Sequence, residues 1–322
     1  MIVGVASCKK NDSPTPDPAP PPAALSGNIM FTRYDVLGTL QYSEIFAVNP
    51  ATGAETQLTN YTSNGSLNKS SEDASWNNSK TKIVYSSLKD NTVAEIYVAN
   101  ADGTQPVRLT NNTLYEYSPK FSPDGNKISF IKSIRDLTGT VSGSEIYTMN
   151  IDGSNEIKLT NVNVGTNITK YIDGFYWNGN SEIYFTSDKD FIDNDIYKFN
   201  TATSLTTRIT SNLGVEGNIE VSPDGTYLLY SKYRDIQNVE SAEIYKIKTN
   251  GTSEIKLTNF SVNGTIDKVS ITPSWTTDGK ILFVSTKDDD FYGEIYLMNG
   301  DGTNLKRITT NTAKNEYQPK IK

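Results

Sequence analysis

Histidine is absent from this 322-residue chain. Its absence removes Ser-His-Asp and Cys-His catalysis and the usual zinc ligand sets. The single cysteine, Cys8, leaves disulfides no part in stability. No apolar run is long enough to span a membrane, and no apolar stripe with a 3.6-residue period marks a substantial helix. A Gly-rich phosphate loop is also lacking. The net charge is −7, with no basic cluster between residues 27 and 322, so nucleic acid is not an expected partner.

What is present is a repeat. An acidic residue, an isoleucine and an aromatic residue recur as Glu44-Ile45-Phe46, Glu95-Ile96-Tyr97, Glu145-Ile146-Tyr147, Asp195-Ile196-Tyr197, Glu243-Ile244-Tyr245 and Glu294-Ile295-Tyr296. Successive isoleucines lie 51, 50, 50, 48 and 51 residues apart. A fixed period of that size marks an architecture in which each unit buries its faces against its neighbours. Each unit carries four short strands, a to d, rich in Ile, Tyr, Phe and Thr and bounded by turn residues. The a–b turn reads Ser-Pro-Asp-Gly at 122–125 and 222–225. The c–d turn reads Asp102-Gly103, Asp152-Gly153, Asn250-Gly251 and Asp301-Gly302, residues that tolerate a tight hairpin. Thr52-Gly53 and Ala202-Thr203 depart from this pattern.

The two ends of the repeat region decide between an open stack and a ring. Asn28 to Thr32 matches strand b, whereas Glu316-Tyr317-Gln318-Pro319-Lys320-Ile321 copies the entry to strand a at Glu116-Tyr117-Ser118-Pro119-Lys120-Phe121. Such complementary fragments complete a blade when the last strand pairs with the first three. The expected fold is therefore all-β: a six-bladed propeller of four-stranded antiparallel blades over residues 27–322, roughly 49 residues per blade. The recurring Ser-Pro-Asp-Gly, Lys-Ile-x-Phe, Glu-Ile-Tyr and Leu-Thr elements resemble the TolB-type, WD40-like (PD40) propeller repeats across this whole region. The resemblance does not extend to the mixed α/β domain that precedes the TolB propeller. It implies a protein partner in the cell envelope, and no catalytic activity.

Val5-Ala6-Ser7-Cys8 resembles the lipobox of bacterial lipoproteins, which makes Cys8 the expected lipidation site. Residues 1–8 are too few for a signal peptide with a basic region and an apolar core, so the leader is expected to extend upstream. Residues 9–26 are polar and then Pro-rich, with five prolines from Pro16 to Pro22, and read as a semi-rigid disordered linker. Anchor, spacer and ring together point to an outer-membrane lipoprotein, facing the periplasm or exposed at the surface. The lipid is its only expected membrane contact, and a monomer is expected.

Antiparallel alternation places the uniform a–b and c–d turns on one face and the variable d–a and b–c loops on the other. Variable loops on a rigid scaffold commonly carry binding, so the d–a/b–c face is the expected site. Its variation alternates: the gaps from the end of strand d to the equivalent residue of strand a are 16, 10, 16, 10, 16 and 11 residues. Trp76, Trp177 and Trp275 occupy one strand-a position in alternate units, either filling space between blades or forming an aromatic platform for sugars or peptides. Glu116, Glu216 and Glu316 lie five residues before that position in the other three units. There they either hold their own turns or converge at a channel mouth able to take Ca²⁺ or a partner's basic group. No other cofactor is expected. Arg33, Lys89, Arg135, Lys189, Arg234 and Lys287 read as a ring of ion pairs between blades.

A non-catalytic envelope module binding a protein, peptide or glycan is the expected function. The alternative is a carboxylate-dependent glycan-processing enzyme on the same face, using acidic clusters such as Asp188, Asp190, Asp193 and Asp195, or Asp288, Asp289 and Asp290.

Overall fold

The computed structural model describes residues 27–37, 40–61, 69–135, 139–163, 169–190, 193–211, 214–235, 240–260, 268–288, 292–310 and 315–321. Cys8, the 9–26 linker, Asp289 and Asp290 lie outside the described residues, as does the side chain of Arg234. All the internal gaps in this description fall in d–a or b–c connections, so much of the face expected to bind is not described.

Among the described residues every regular element is a strand. The first blade takes β1 (Ile29–Leu37), β2 (Leu40–Val48) and β3 (Glu55–Gln57). Blade 2 holds β4 (Ser71–Trp76), β5 (Lys82–Ser87), β6 (Glu95–Asn100) and β7 (Val107–Arg108). Blade 3 holds β8 (Glu116–Phe121), β9 (Lys127–Arg135), β10 (Val141–Asn150) and β11 (Ile157–Lys158). Blade 4 runs through β12 (Ile172–Asn178), β13 (Glu182–Ser187), β14 (Asp195–Asn200) and β15 (Leu205–Arg208). Blade 5 has β16 (Val215–Val221), β17 (Tyr227–Asp235), β18 (Glu240–Lys248) and β19 (Ile255–Lys256). Blade 6 has β20 (Ser270–Trp275), β21 (Lys280–Ser285), β22 (Glu294–Asn299) and β23 (Lys306–Arg307), and β24 (Asn315–Ile321) returns to blade 1.

The sheets are six, each of four strands, and the first is ordered β24-β1-β2-β3. Ile321 pairs with Ile29, Lys320 with Met30, Tyr317 with Thr32 and Glu316 with Arg33. The expected closure is therefore the observed one. The innermost strands β4, β8, β12, β16, β20 and β24 adjoin one another around the ring and wall a central channel.

Six apolar clusters, one per blade junction, fill the space between neighbouring sheets. Between blades 1 and 2, for example, Met30, Ile45 and Leu58 meet Ala74, Ile83, Tyr85 and Tyr97. The isoleucine of each recurring triplet is fully buried in this system. Its acidic neighbour explains the rest of the motif. The backbone N–H of each of these isoleucines donates to a strand-d threonine Oγ1, as from Ile45 to Thr59 at 2.9 Å and from Ile295 to Thr309 at 2.9 Å. In four blades that threonine donates in turn to the buried carboxylate, from Thr59 to Glu44, Thr160 to Glu145, Thr258 to Glu243 and Thr309 to Glu294. The same carboxylates accept backbone N–H groups of the d–a connection, from Tyr61 to Glu44 (2.7 Å) and Phe260 to Glu243 (2.8 Å). A charge taken out of water is stable only with such a complete set of donors.

The c–d glycines do more than turn. Gly103, at φ 81°, sits so close to the Leu58 carbonyl of the preceding blade that a Cβ would lie 1.9 Å from that oxygen. Gly153, Gly251 and Gly302 face the carbonyls of Leu109, Ile209 and Leu257 in the same way. Gly125, in an a–b turn at φ 73°, has nothing within 4 Å. Gly103→Ala should therefore destabilise the ring by about 3 kcal/mol or more, combining backbone strain with a steric clash. Gly125→Ala should cost only the left-handed backbone term, about 1–2 kcal/mol. Urea denaturation of the two variants checks this; equal losses would remove the packing role given to Gly103.

Candidate ligand-binding channel

Each innermost strand breaks register with its neighbour near the middle, for instance between Glu72 and Ser75, Tyr117 and Lys120, and Ile271 and Ser274. At the bulge five non-glycine residues adopt left-handed φ values: Asp73 (58°), Ser118 (52°), Asn218 (56°), Thr272 (49°) and Gln318 (54°). Blade 4 differs: Gly174 holds the equivalent position without a left-handed φ, and the register shift falls at the start of β12, between Ile172 and Gly174. Left-handed backbone is costly for such residues and concentrates at functional walls. Pro119, Pro273 and Pro319 follow three of these positions, where a bulge spares them a ladder hydrogen bond.

The bulge residues, with Lys120, Lys320 and Asp173, line a chamber of about 250 Å³ inside the ring. It opens into a mouth of about 430 Å³ on the a–b turn side, bordered by Trp76, Trp177, Trp275, Tyr176, Lys80 and Glu220. Lys120 and Lys320 line both spaces and mark where they join.

Charge is graded along this axis. At the mouth, Lys80, Lys120 and Lys320 come from three different blades and face a single carboxylate, Glu220. Lys320 pairs with Glu220, which also accepts the Trp275 N–H at 3.1 Å and the Ser274 hydroxyl at 3.3 Å. Lys120 makes no hydrogen bond or ion pair among the described residues; its ammonium lies 5.8 Å from the centre of the Phe175 ring. Burial and the neighbouring Lys320 push its pKa down to about 8, against the opposing pull of Glu220 and Asp73. Further in, the sign reverses. Asp73 accepts the Ser118 N–H (2.8 Å) and the Gln318 side-chain amide, and Glu72 accepts the Ser43 hydroxyl at 2.7 Å. Asp173 has no hydrogen-bonding or ionic partner among the described residues. Asp173 is exposed to the channel, yet desolvation by the crowded channel wall and the neighbouring Asp73 push its carboxyl up, and its Oδ2 rests over Gly217, where a Cβ would come within 3.1 Å.

The residues singled out by sequence take other positions. Trp76 is 8% exposed within the cluster between blades 1 and 2, and Trp177 and Trp275 pack against the clusters of their own junctions. All three fill space between blades, and their edges border the mouth on the turn face rather than the loop face.

Glu116, Glu216 and Glu316 do not converge. Each is fully buried inside its own blade and faces a strand-b cation: Lys132 at 3.0 Å, Lys232 at 3.6 Å and Arg33 at 2.5 Å. A strand-d glutamate completes each set, namely Glu156, Glu254 and Glu55. An aromatic ring of strand c lies beside each cation, at 5.4 Å for Tyr147, 5.5 Å for Tyr245 and 4.7 Å for Phe46. Among the described residues no cluster of three acidic side chains is placed to hold a metal ion; of the two arrangements open in the sequence, convergence at a mouth is not the one formed, and each glutamate sits in a separate ion-pair triad within its own blade. The register requires this, because Glu116 lies opposite Lys132 and Glu316 opposite Arg33 in the sheet.

Among the described residues the expected ring of ion pairs between blades is likewise not formed, and the side chain of Arg234 lies outside them. Lys89, Lys189 and Lys287 pair with the adjacent Asp90, Asp190 and Asp288, and Arg135 donates to the carbonyls of Gly139 and Thr113.

No family model matches the sequence, and no curated protein matches it. Among solved structures the chain is similar to TolB from Acinetobacter baumannii, with a TM-score of 0.71 and 18% identity over 92% of this chain and 67% of that one. A putative TolB from Agrobacterium tumefaciens gives a TM-score of 0.63 and 17% identity over 91% of this chain and 98% of that one. Hydrazine synthase from Kuenenia stuttgartiensis gives 0.68 and 14% over 91% and 46%. These likenesses show the fold, a TolB-like six-bladed β-propeller.

The buried glutamates carry a pH signature. Burial pushes Glu216 up to about 7, with the Thr210 hydroxyl and Lys232 opposing the shift, and Glu116 and Glu316 move in the same direction. The folded state holds the Glu216 proton more tightly than the unfolded chain does. Its contribution is therefore complete below about pH 4.5 and is lost as pH rises through about 7. Stability should fall by on the order of 3 kcal/mol across that window from this group. Glu216→Gln should flatten the slope in urea titrations at several pH values; an unchanged slope would show that Glu216 ionises in the fold as freely as in the unfolded chain.

Proposed function

We propose that this protein is a non-catalytic binding module of the cell envelope, tethered to a membrane through a lipidated Cys8 and the 9–26 spacer, which receives a peptide segment of an envelope partner in its central channel. The single observation that carries this reading is the preformed channel. Its walls offer amide and hydroxyl groups from Ser118, Asn218, Thr272 and Gln318, and an aromatic and cationic mouth. Ligand sites are commonly concave, largely pre-formed and provided with a few convergent polar groups. Likeness of fold to TolB supports an envelope setting by analogy alone. The channel also reaches toward the loop face, so partner contacts with the d–a/b–c loops are compatible with it.

Binding is favoured over glycan processing by what the acidic groups already do. Asp188 accepts the Tyr171 N–H, Asp190 pairs with Lys189, Asp195 with Arg208, and Asp288 with Lys287 and Tyr296. Glu216, whose raised pKa would suit a general acid, is sealed within its blade.

Two measurements test the proposal. On detergent phase partition, the chain expressed behind a bacterial lipoprotein signal peptide should enter the detergent phase, and Cys8→Ser should move it to the aqueous phase. Partner capture from solubilised envelope should fall about tenfold for Lys120→Glu, which reverses the charge at the channel mouth. Undiminished capture would remove the channel as the site, and aqueous partition of the wild type would remove the tether.

A further inference from the structure

Two opposite charges without partners line the same small chamber: the ammonium of Lys120 toward the turn-side mouth and the carboxylate of Asp173 toward the loop side. Lys120 is half-buried and Asp173 is exposed to the channel, so each charged end faces open volume that a ligand group of opposite charge can occupy. Each is flanked by a like charge, Lys320 beside Lys120 and Asp73 near Asp173. The wall between them is polar and uncharged, formed by Ser118, Asn218, Thr272 and Gln318.

Resting on the reading of the channel as a peptide site, we propose that the chamber binds a small zwitterion, a free amino acid or dipeptide. The ligand's carboxylate lies against Lys120 and Lys320, and its ammonium against Asp173 and Asp73. The spacing suits this length. Asp173 lies four positions, and Lys120 one position, before the equivalent ends of their strands at Trp177 and Phe121. Three strand positions at ~3.3 Å each separate the two levels by roughly 10 Å, less the shortening at the bulge. A dipeptide supplies one Cα-to-Cα step of about 3.8 Å together with its two charged ends. Charged hydrogen bonds of about 2.8 Å at each end then bring it to that span. A neutral sugar leaves both charges uncompensated, and a simple anion satisfies only the mouth.

The test uses the full chain and a panel of the common L-amino acids and glycyl dipeptides at millimolar concentration, read by thermal shift and then by calorimetry. At least one free zwitterion should raise Tm by several degrees. Capping that ligand, by N-acetylation at one end or C-amidation at the other, should weaken its binding about tenfold each time. In Lys120→Met the acid and its amide should bind alike, while the preference for a free amine remains. In Asp173→Asn the free and acetylated amines should bind alike, while the preference for a free carboxylate remains. Affinity for the N-acetylated acid, which has no amine to titrate, should decline above about pH 8, where Lys120 loses its proton, and should stay level in Lys120→Met. If capped ligands bind as tightly as free ones, the zwitterion assignment is overturned and the peptide-binding channel survives. If no ligand binds and partner capture is also indifferent to Lys120→Glu, both fall together.

Discussion

The antiparallel pairing of β24 with β1 is the constraint on which the remaining geometry depends. It brings Ile321 against Ile29 and seats Glu316 opposite Arg33, joining residues almost 290 positions apart into one sheet. Without it β24 would not stand beside β20 and β4, and the channel wall would have a gap where Gln318 and Lys320 now project. Closure also covers the edge of β1, whose unpaired backbone groups would otherwise invite association between chains. The channel and its charge gradient are thus consequences of a ring that shuts on itself.

Within the ring, two kinds of blade alternate. Blades 1, 3 and 5 hold a buried cation between two glutamates and an aromatic ring, built on Arg33, Lys132 and Lys232. Blades 2, 4 and 6 use other devices: a Ser71–Ser87 or Ser270–Ser285 hydroxyl pair, and an arginine on the motif carboxylate, Arg208 on Asp195 and Arg307 on Glu294. The loop-length alternation in the sequence is the outer sign of this inner difference. Buried triads of this type are expensive to desolvate and are sensitive to loss of one member, which gives each blade type a fixed register more than a large net stabilisation.

Much of this was legible before any coordinates. The period, the turn residues and the split terminal blade specify a closed propeller, because each is a local rule of strand chemistry. The site was less legible. Glu116, Glu216 and Glu316 share a sequence position, but whether a side chain at that position turns into the channel or into its own sheet depends on the bulge. The bulge lies at Ser118, Asn218 and Gln318, of which only Asn218 is a residue type that favours left-handed backbone. Asp73, Lys120 and Asp173 were passed over for the same reason: they come from three strands with different residues at corresponding positions, and only the ring brings them together. A usable signal was available in Lys120 and Lys320, charged residues at equivalent places in strands otherwise apolar toward the blades.

Arg33 illustrates what the order of synthesis imposes on such a ring. Its guanidinium sits over Phe31 and Phe46, 6% exposed, with Glu55 close by in the chain and Glu316 on the far side of closure. A polypeptide made from its N-terminus offers Glu55 at 22 residues after Arg33 and Glu316 only at 283 residues after it, so while the intervening blades are made the guanidinium has one of its two carboxylate partners. The first blade therefore remains an incomplete three-stranded sheet until β24 emerges, and docking of that strand brings the second carboxylate onto the guanidinium and seals the circle in one event.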